Sequence, residues 1–227
     1  MFLGIDIGSS SSKVLALDGA GNILGSAVMN IGTGTNGVEL ALAELEKTAG
    51  LNRKQVLYTV VTGYGRMTYQ GADEQITEIS CHAKGVVARH PKARSIIDIG
   101  GQDAKAIQIS PDGRVENFVM NEKCAAGTGR FFEVMARVLN CTIQELPGLA
   151  AQTEEAVPIS SICTVFAESE VISQLAGGAT LASVARGAHI SVARRVSGLA
   201  KRIEIRPQVV MTGGVAQNRT MADCLSK

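Results

Sequence analysis

No apolar run in the 227 residues approaches the ~18 that a membrane-spanning helix needs, so a helical span is excluded and a soluble chain is predicted. The opening residues, Met1-Phe2-Leu3-Gly4-Ile5-Asp6, carry no basic leader and put an acid inside the first apolar stretch, so the expectation is no secretion signal and a cytoplasmic location. Charge of one sign is lacking too: 22 Lys and Arg stand against 21 Asp and Glu, for a net +1, which argues against a nucleic acid or an anionic membrane surface as partner. The basic residues from Arg186 to Arg206 form the densest positive stretch, and their spacing is that of the wet face of a helix. There is no Cys-x-x-Cys pair. The five cysteines, at 81, 124, 141, 163 and 224, are odd in number and widely spaced, which fits thiols or metal ligands in a reducing compartment better than a disulfide framework. Gly-x4-Gly-Lys-Ser/Thr is absent, and no Gly-x-Gly-x-x-Gly opens a helix after a strand, so P-loop and dinucleotide folds are not indicated. Gly32-Thr33-Gly34-Thr35-Asn36-Gly37 is polar on both sides and reads as a loop.

What is present is an internal repeat. Ile5-Asp6-Ile7-Gly8 returns as Ile97-Asp98-Ile99-Gly100 at an offset of 92 residues. Lys13 and Lys105 each follow the acid by seven residues, and Gly21 and Gly113 each follow it by fifteen, with Ile23 and Val115 behind them. Each copy predicts a strand, a short polar turn, a second strand and a glycine turn. After the first copy, Val38 to Lys47 places Val38, Ala41, Leu42 and Leu45 on one helical face, and Val56 to Val61 reads as a β-branched strand. After the second, helices are predicted over 129–139, 165–175 and 180–203, the last one with a break. A strand at Val209-Val210-Met211 then runs into Thr212-Gly213-Gly214, and helical periodicity resumes over 215–225. The reading is an α/β chain of two duplicated lobes, 1–94 and 95–227, with the boundary drawn from the repeat alone.

An acid at the end of a buried strand, followed by glycine and small polar residues, suits phosphate chemistry. Glycine admits the backbone to the phosphates, amides and hydroxyls donate to their oxygens, and the acid holds Mg²⁺. Asp6, Gly8, Ser9, Ser10, Ser11, Ser12 and Lys13 supply these parts once; Asp98, Gly100, Gly101, Gln102 and Asp103 supply them again. Facing hairpins would clamp phosphates from both sides, with either Gln102 or Asp103 orienting the attacking water. With the third strand-to-glycine turn at Gly213 and Gly214, the order of turns resembles the two phosphate loops and the adenosine loop of the actin, Hsp70 and sugar-kinase superfamily, a ribonuclease H-like fold. That resemblance implies a two-lobed ATP cleft, with adenosine against Thr212, Gly213 and Gly214 and with Gln217 and Asn218 nearby.

Cys124 and Cys163 each precede a predicted helix, where exposed amides and the helix dipole favour a thiolate. Two ligands per chain complete a four-thiolate site only if a second chain brings two more. The surrounding residues, Asn121-Glu122-Lys123-Cys124-Ala125-Ala126-Gly127-Thr128-Gly129-Arg130-Phe131 and Ser161-Ile162-Cys163-Thr164-Val165-Phe166-Ala167-Glu168-Ser169-Glu170, resemble the two cluster-binding motifs of the activator component of 2-hydroxyacyl-CoA dehydratases. They are similar as well to the related ATPase subunits of benzoyl-CoA reductase, the BadF/BadG/BcrA/BcrD type. Thr62-Gly63-Tyr64-Gly65-Arg66, Thr77-Glu78-Ile79-Ser80-Cys81-His82 and Thr212-Gly213-Gly214 match that family too, so the resemblance spans nearly the whole chain.

The resemblance implies a homodimer that shares one 4Fe-4S cluster ligated by Cys124 and Cys163 of each subunit. It implies ATP binding and hydrolysis to ADP with Mg²⁺, and delivery of a low-potential electron from a ferredoxin or flavodoxin to a dehydratase or related reductase in anaerobic metabolism. Family members continue beyond the adenosine loop by some tens of residues, so a shortened second lobe is expected here. Cys81, Cys141 and Cys224 lie outside the motifs and read as structural. Two other readings of the residues stay open: a small-molecule kinase of the same fold, of the amino-sugar kind, and a non-enzymatic nucleotide or redox switch with zinc bridging a dimer.

Overall fold

The computed structural model describes residues 1–121, 123–160 and 163–226. They form two compact units, Met1–His82 and Ala83–Lys227.

The N-terminal unit begins with an antiparallel meander, β1 (Phe2–Ile7), β2 (Ser12–Leu17) and β3 (Ile23–Met29). Leu3, Ile5 and Ile7 alternate inward along β1, and Val14 and Ala16 do so along β2. Helix α1 (Gly37–Ala49) covers that face with Val38, Ala41, Leu42 and Leu45, the four positions whose spacing predicts one buried stripe. Val38, Leu42 and Leu45 each contribute about 1.5–3 kcal/mol of burial. The chain returns as β4 (Tyr58–Thr62), parallel to β1, and ends the sheet with β5 (Glu74–Gln75), in the order β3-β2-β1-β4-β5. Helix α2 (Glu78–Arg89) carries the chain across the division between the units. The boundary near residue 94, expected from the repeat, falls just beyond this helix.

The C-terminal unit repeats the plan with β6 (Ser95–Ile99), β7 (Ala104–Ile109) and β8 (Val115–Asn121). Every residue of β6 and β7 is buried, the polar Ser95, Asp98, Lys105 and Gln108 included. Helices α3 (Gly129–Val138), α4 (Leu146–Ala150), α5 (Thr164–Ala176) and α6 (Leu181–Ala200) follow. Then β9 (Val209–Thr212) joins β6 in parallel and α7 (Arg219–Leu225) closes the described chain, the sheet order being β8-β7-β6-β9. Phe131, Phe132 and Met135 of α3 meet Val184, Ala188 and Val192 of α6 in the core beside Ile97 and Ile99.

The structure departs from the sequence expectation in three places. Helix α6 runs unbroken, because it is buried along most of its length and Gly187 packs closely against the Val157 carbonyl. Arg186 is not on a wet face: it is 6% exposed and reaches out of the core to Glu154 at 2.8 Å. The helical pattern over 215–225 is divided, since Asn218 ends one turn and caps α7.

Candidate functional site

In the N-terminal unit, Gly8, Ser9, Ser10 and Ser11 form the turn between β1 and β2, closed by the Gly8 amide donating to the Ser11 carbonyl at 2.9 Å. Asp6 stands at the penultimate position of β1, and Lys13 Nζ lies 2.7 Å from its Oδ2. Both side chains are substantially exposed, so this pair is worth under about 1 kcal/mol and leaves the carboxylate available to other charges. Ser12 differs from its neighbours: it is buried in β2 and donates to the Ile31 carbonyl at 2.8 Å. Thr33 donates its amide to the Gly8 carbonyl at 2.9 Å, so the glycine-rich loop after β3 backs the turn.

The end of β4 completes the surroundings of Asp6. Gly63 has φ of +89°, and a Cβ there would strike the Asp6 carboxylate and the Ile7 carbonyl, so only glycine fits. Gly65 then donates its amide to the Ile7 carbonyl at 2.8 Å.

The C-terminal unit builds the same turn with the charges buried. Gly100 donates its amide to the Asp103 carbonyl at 2.9 Å. Asp98, 2% exposed, accepts from Thr212 Oγ1 at 2.8 Å, and its other oxygen lies 3.4 Å from Lys105 Nζ. Lys105, also 2% exposed, is 2.5 Å from Asp103 Oδ2 and so neutralises two acids at once. Gln102 is exposed at the tip of the turn. Gly213 repeats the Gly63 arrangement at φ of +84°, against the Ile99 carbonyl and the Asp98 carboxylate. Of the residues predicted beside adenosine, Thr212, Gly213 and Gly214 form the exit of β9, and Gln217 is exposed in the short turn that follows.

The Asn218 amide is engaged internally. Its Oδ1 accepts from the Met221 amide at 3.0 Å, and its Nδ2 lies 2.8 Å from His189 Nε2. His189 Nδ1 faces the Ala185 carbonyl at 2.8 Å, which only accepts, so Nδ1 carries the proton and Nε2 accepts from Asn218. Burial pushes the His189 pKa below its ordinary 6.5. The ring sits 4.8 Å from that of Phe132. Histidine at this position carried no signal in the sequence, because its partner is 29 residues away.

Cys124, in extended conformation, heads a single turn (Ala125–Gly127) that leads into α3, and Cys163 is the N-cap residue of α5. Both are half-buried, and neither side chain caps its own helix. The Cys124 carbonyl accepts from Asn121 Nδ2 at 3.0 Å. Gly129 and Arg130, the first residues of α3, donate their amides to the carbonyls of Gly100 and Gly101, each at 2.8 Å. The segment behind Cys124 is thereby tied to the second glycine turn. Val165 and Phe166, each 67% exposed, follow Cys163 on the first turn of α5. Glu122, Ser161 and Ile162 of the cysteine motifs lie outside the described residues. Cys81, Cys141 and Cys224 sit in α2, after α3 and in α7, and burial raises the Cys141 pKa. Among the described residues no group of three or more His, Cys, Asp or Glu within the chain is set to hold a metal ion, and no helix is long and apolar enough to cross a membrane.

Residues 3–227 match the BadF/BadG/BcrA/BcrD ATPase family. The chain is 54% identical over 216 residues to an activator of lactoyl-CoA dehydratase from Anaerotignum propionicum, covering 95% of this chain and 83% of that one. It superimposes on the activator of the 2-hydroxyisocaproyl-CoA dehydratase from Clostridium difficile with bound ADPNP at a TM-score of 0.94 and 49% identity, covering 100% of this chain and 86% of that one. It matches component A of the (R)-2-hydroxyglutaryl-CoA dehydratase of Acidaminococcus fermentans at a TM-score of 0.95 and 46% identity, covering 99% and 87%.

Proposed function

Because the chain belongs to the BadF/BadG/BcrA/BcrD ATPase family, we propose that it is an ATP-hydrolysing activator that passes a low-potential electron to a 2-hydroxyacyl-CoA dehydratase or related reductase. It is an ATPase with the actin-like fold of sugar kinases and Hsp70, and its relatives named as dehydratase activators carry the assignment of the partner class.

In this reading Asp6 and Asp98 hold Mg²⁺ on the phosphates of ATP, through water. Gly8, Ser9, Ser10, Ser11 and Lys13 donate to phosphate from one hairpin, and Gly100 and Gly101 from the other. Ser12 supports the first turn through its bond to Ile31 rather than by meeting phosphate. Thr212, Gly213 and Gly214 take the adenosine, and Asn218, held by His189, fixes the start of α7 behind them. Asp103 is tied to Lys105, so Gln102 is the freer group to orient the attacking water.

The donor chemistry of Cys124 and Cys163 fits an iron-sulfur cluster: two soft ligands, each at a helix start where amide dipoles favour negative charge. Two per chain half-ligate a 4Fe-4S group, so a homodimer supplies the set, and the exposed Val165 and Phe166 beside Cys163 suit burial against the second copy. When bound, such a cluster supplies one-electron transfer at low potential, fed by a ferredoxin or flavodoxin.

One observation supports coupling above the others. The Gly129 and Arg130 amides bond to the carbonyls of Gly100 and Gly101, so a phosphate loop that shifts with nucleotide state pulls directly on the base of the Cys124 segment. The test is to mix anaerobically reduced protein with a 2-hydroxyacyl-CoA dehydratase and its substrate. Product that requires both ATP and this protein is expected; activation that proceeds equally without ATP, or ATP turnover that instead depends on a sugar, contradicts the reading.

A further inference from the structure

Helix α6 passes beneath the Cys124 segment, and one of its side chains meets the sulfur. Arg195 Nη1 lies 3.5 Å from Cys124 Sγ, a normal separation for an N–H donor and the large sulfur atom. The approach is built into the loop. A Cβ on Gly127 would stand 3.0 Å from Arg195 Cδ and 3.2 Å from Cγ, so a glycine three residues past the cysteine leaves the channel for the arginine stem. Asn121 Nδ2 holds the Cys124 carbonyl at 3.0 Å, fixing the backbone from which the sulfur projects. Arg195 Nε is buried with no hydrogen-bond partner among the described residues, so the donor end that meets sulfur is a principal anchor of the guanidinium. Arg195 also lines a cavity of about 290 Å³ with Asn121, Gly127 and Arg202, which adds a second guanidinium to this side of the loop.

We infer that Arg195 is a positioning residue for the cluster ligand: its guanidinium donates to the Cys124 thiolate and sets how readily the cluster held there accepts its electron. The inference rests on the reading of Cys124 as a cluster ligand. A charge-assisted donor at a ligand sulfur draws electron density from it and stabilises the reduced, more negative state, which raises the potential. One electron arrives from the ferredoxin- or flavodoxin-type donor, and no bond forms or breaks in the step. Arg195 would thus make the resting cluster reducible by a donor of ordinary strength.

The test compares wild type, Arg195→Lys and Arg195→Gln, each purified anaerobically as the full chain, with iron per dimer, thermal melting and a potentiometric titration followed by electron paramagnetic resonance. Arg195→Gln is expected to hold iron and titrate at a more negative potential. At the wild-type midpoint its reduced-to-oxidised ratio should fall about tenfold, a shift of about 59 mV for one electron, with Arg195→Lys between the two. If Arg195→Gln alone loses iron, Arg195→Lys decides: a negative shift supports the inference and an unshifted potential overturns it. Midpoints in both variants equal to or above wild type overturn it. So does loss of iron from both variants while they stay folded, which would make Arg195 a builder of the loop. Wild type that holds no iron overturns the cluster reading itself, and the inference with it.

Discussion

Thr212 Oγ1 donates to Asp98 Oδ1 at 2.8 Å, at the register position of β6 and β9 where, in the other unit, Thr62 of β4 pairs with Asp6 of β1. The duplicated units therefore share a threonine beside each acid, but use it differently. Thr62 Oγ1 is buried with no hydrogen-bond partner among the described residues. Thr212→Val strips a donor from a buried carboxylate and should cost about 1.5–3 kcal/mol, while Thr62→Val should be close to neutral. Thermal denaturation of the two variants checks this; equal losses would show that the two hydroxyls are equivalent.

Lys105 lies within 4 Å of both Asp98 and Asp103, and it is almost fully buried. Lys105→Met removes the positive charge from beside both acids, with an expected cost of about 3–5 kcal/mol and collapse of ATP turnover. Lys13→Met, at an exposed pair, should cost less than about 1 kcal/mol. Denaturant midpoints decide between them, and a Lys105→Met protein as stable as wild type would refute a structural role for the buried pair.

Gly213→Ala forces a side chain into positive φ and against the Asp98 carboxylate. The conformation alone costs about 1–2 kcal/mol, and the clash displaces the acid proposed to hold Mg²⁺. ATP affinity measured by calorimetry should fall at least tenfold; unchanged affinity would separate this turn from the nucleotide.

His189 predicts a pH dependence. Burial is the first cause of its lowered pKa, so the fold favours the neutral ring that accepts from Asn218. As pH falls below the unfolded value of about 6.5, the unfolded chain takes up a proton that the folded chain resists. The contribution is whole above that value and is lost as pH drops through the lower, folded-state pKa. His189→Gln should flatten the fall in stability between about pH 7 and pH 5. A slope identical to wild type would assign it to other groups.

Much of the fold was legible because the repeat is local. Ile-Asp-Ile-Gly, the following lysine and the glycine turn all lie within one hairpin, so a single offset of 92 residues reveals them. The parallel strands escaped that comparison: Thr62-Gly63 and Thr212-Gly213 are 150 residues apart, since α3 to α6 are inserted between hairpin and strand in only one unit. Helix α2 buries only Ala83 and Val86, too few apolar positions for a periodic signal. Arg186 looked like a surface residue because charge usually marks the wet face, yet α6 is buried on nearly every side. Cys124 and Cys163 stood out through their motifs. Arg195, 71 residues from Cys124, could be found only once the chain was folded.

Iron, acid-labile sulfide and solution mass on anaerobically purified protein test most directly the proposal that two copies of the chain share one cluster. A dimer with about four irons and four sulfides is expected, and their loss in Cys124→Ser with nucleotide binding retained. An iron-free monomer that resists reconstitution, or a Cys124→Ser protein with its full complement of iron, would contradict it.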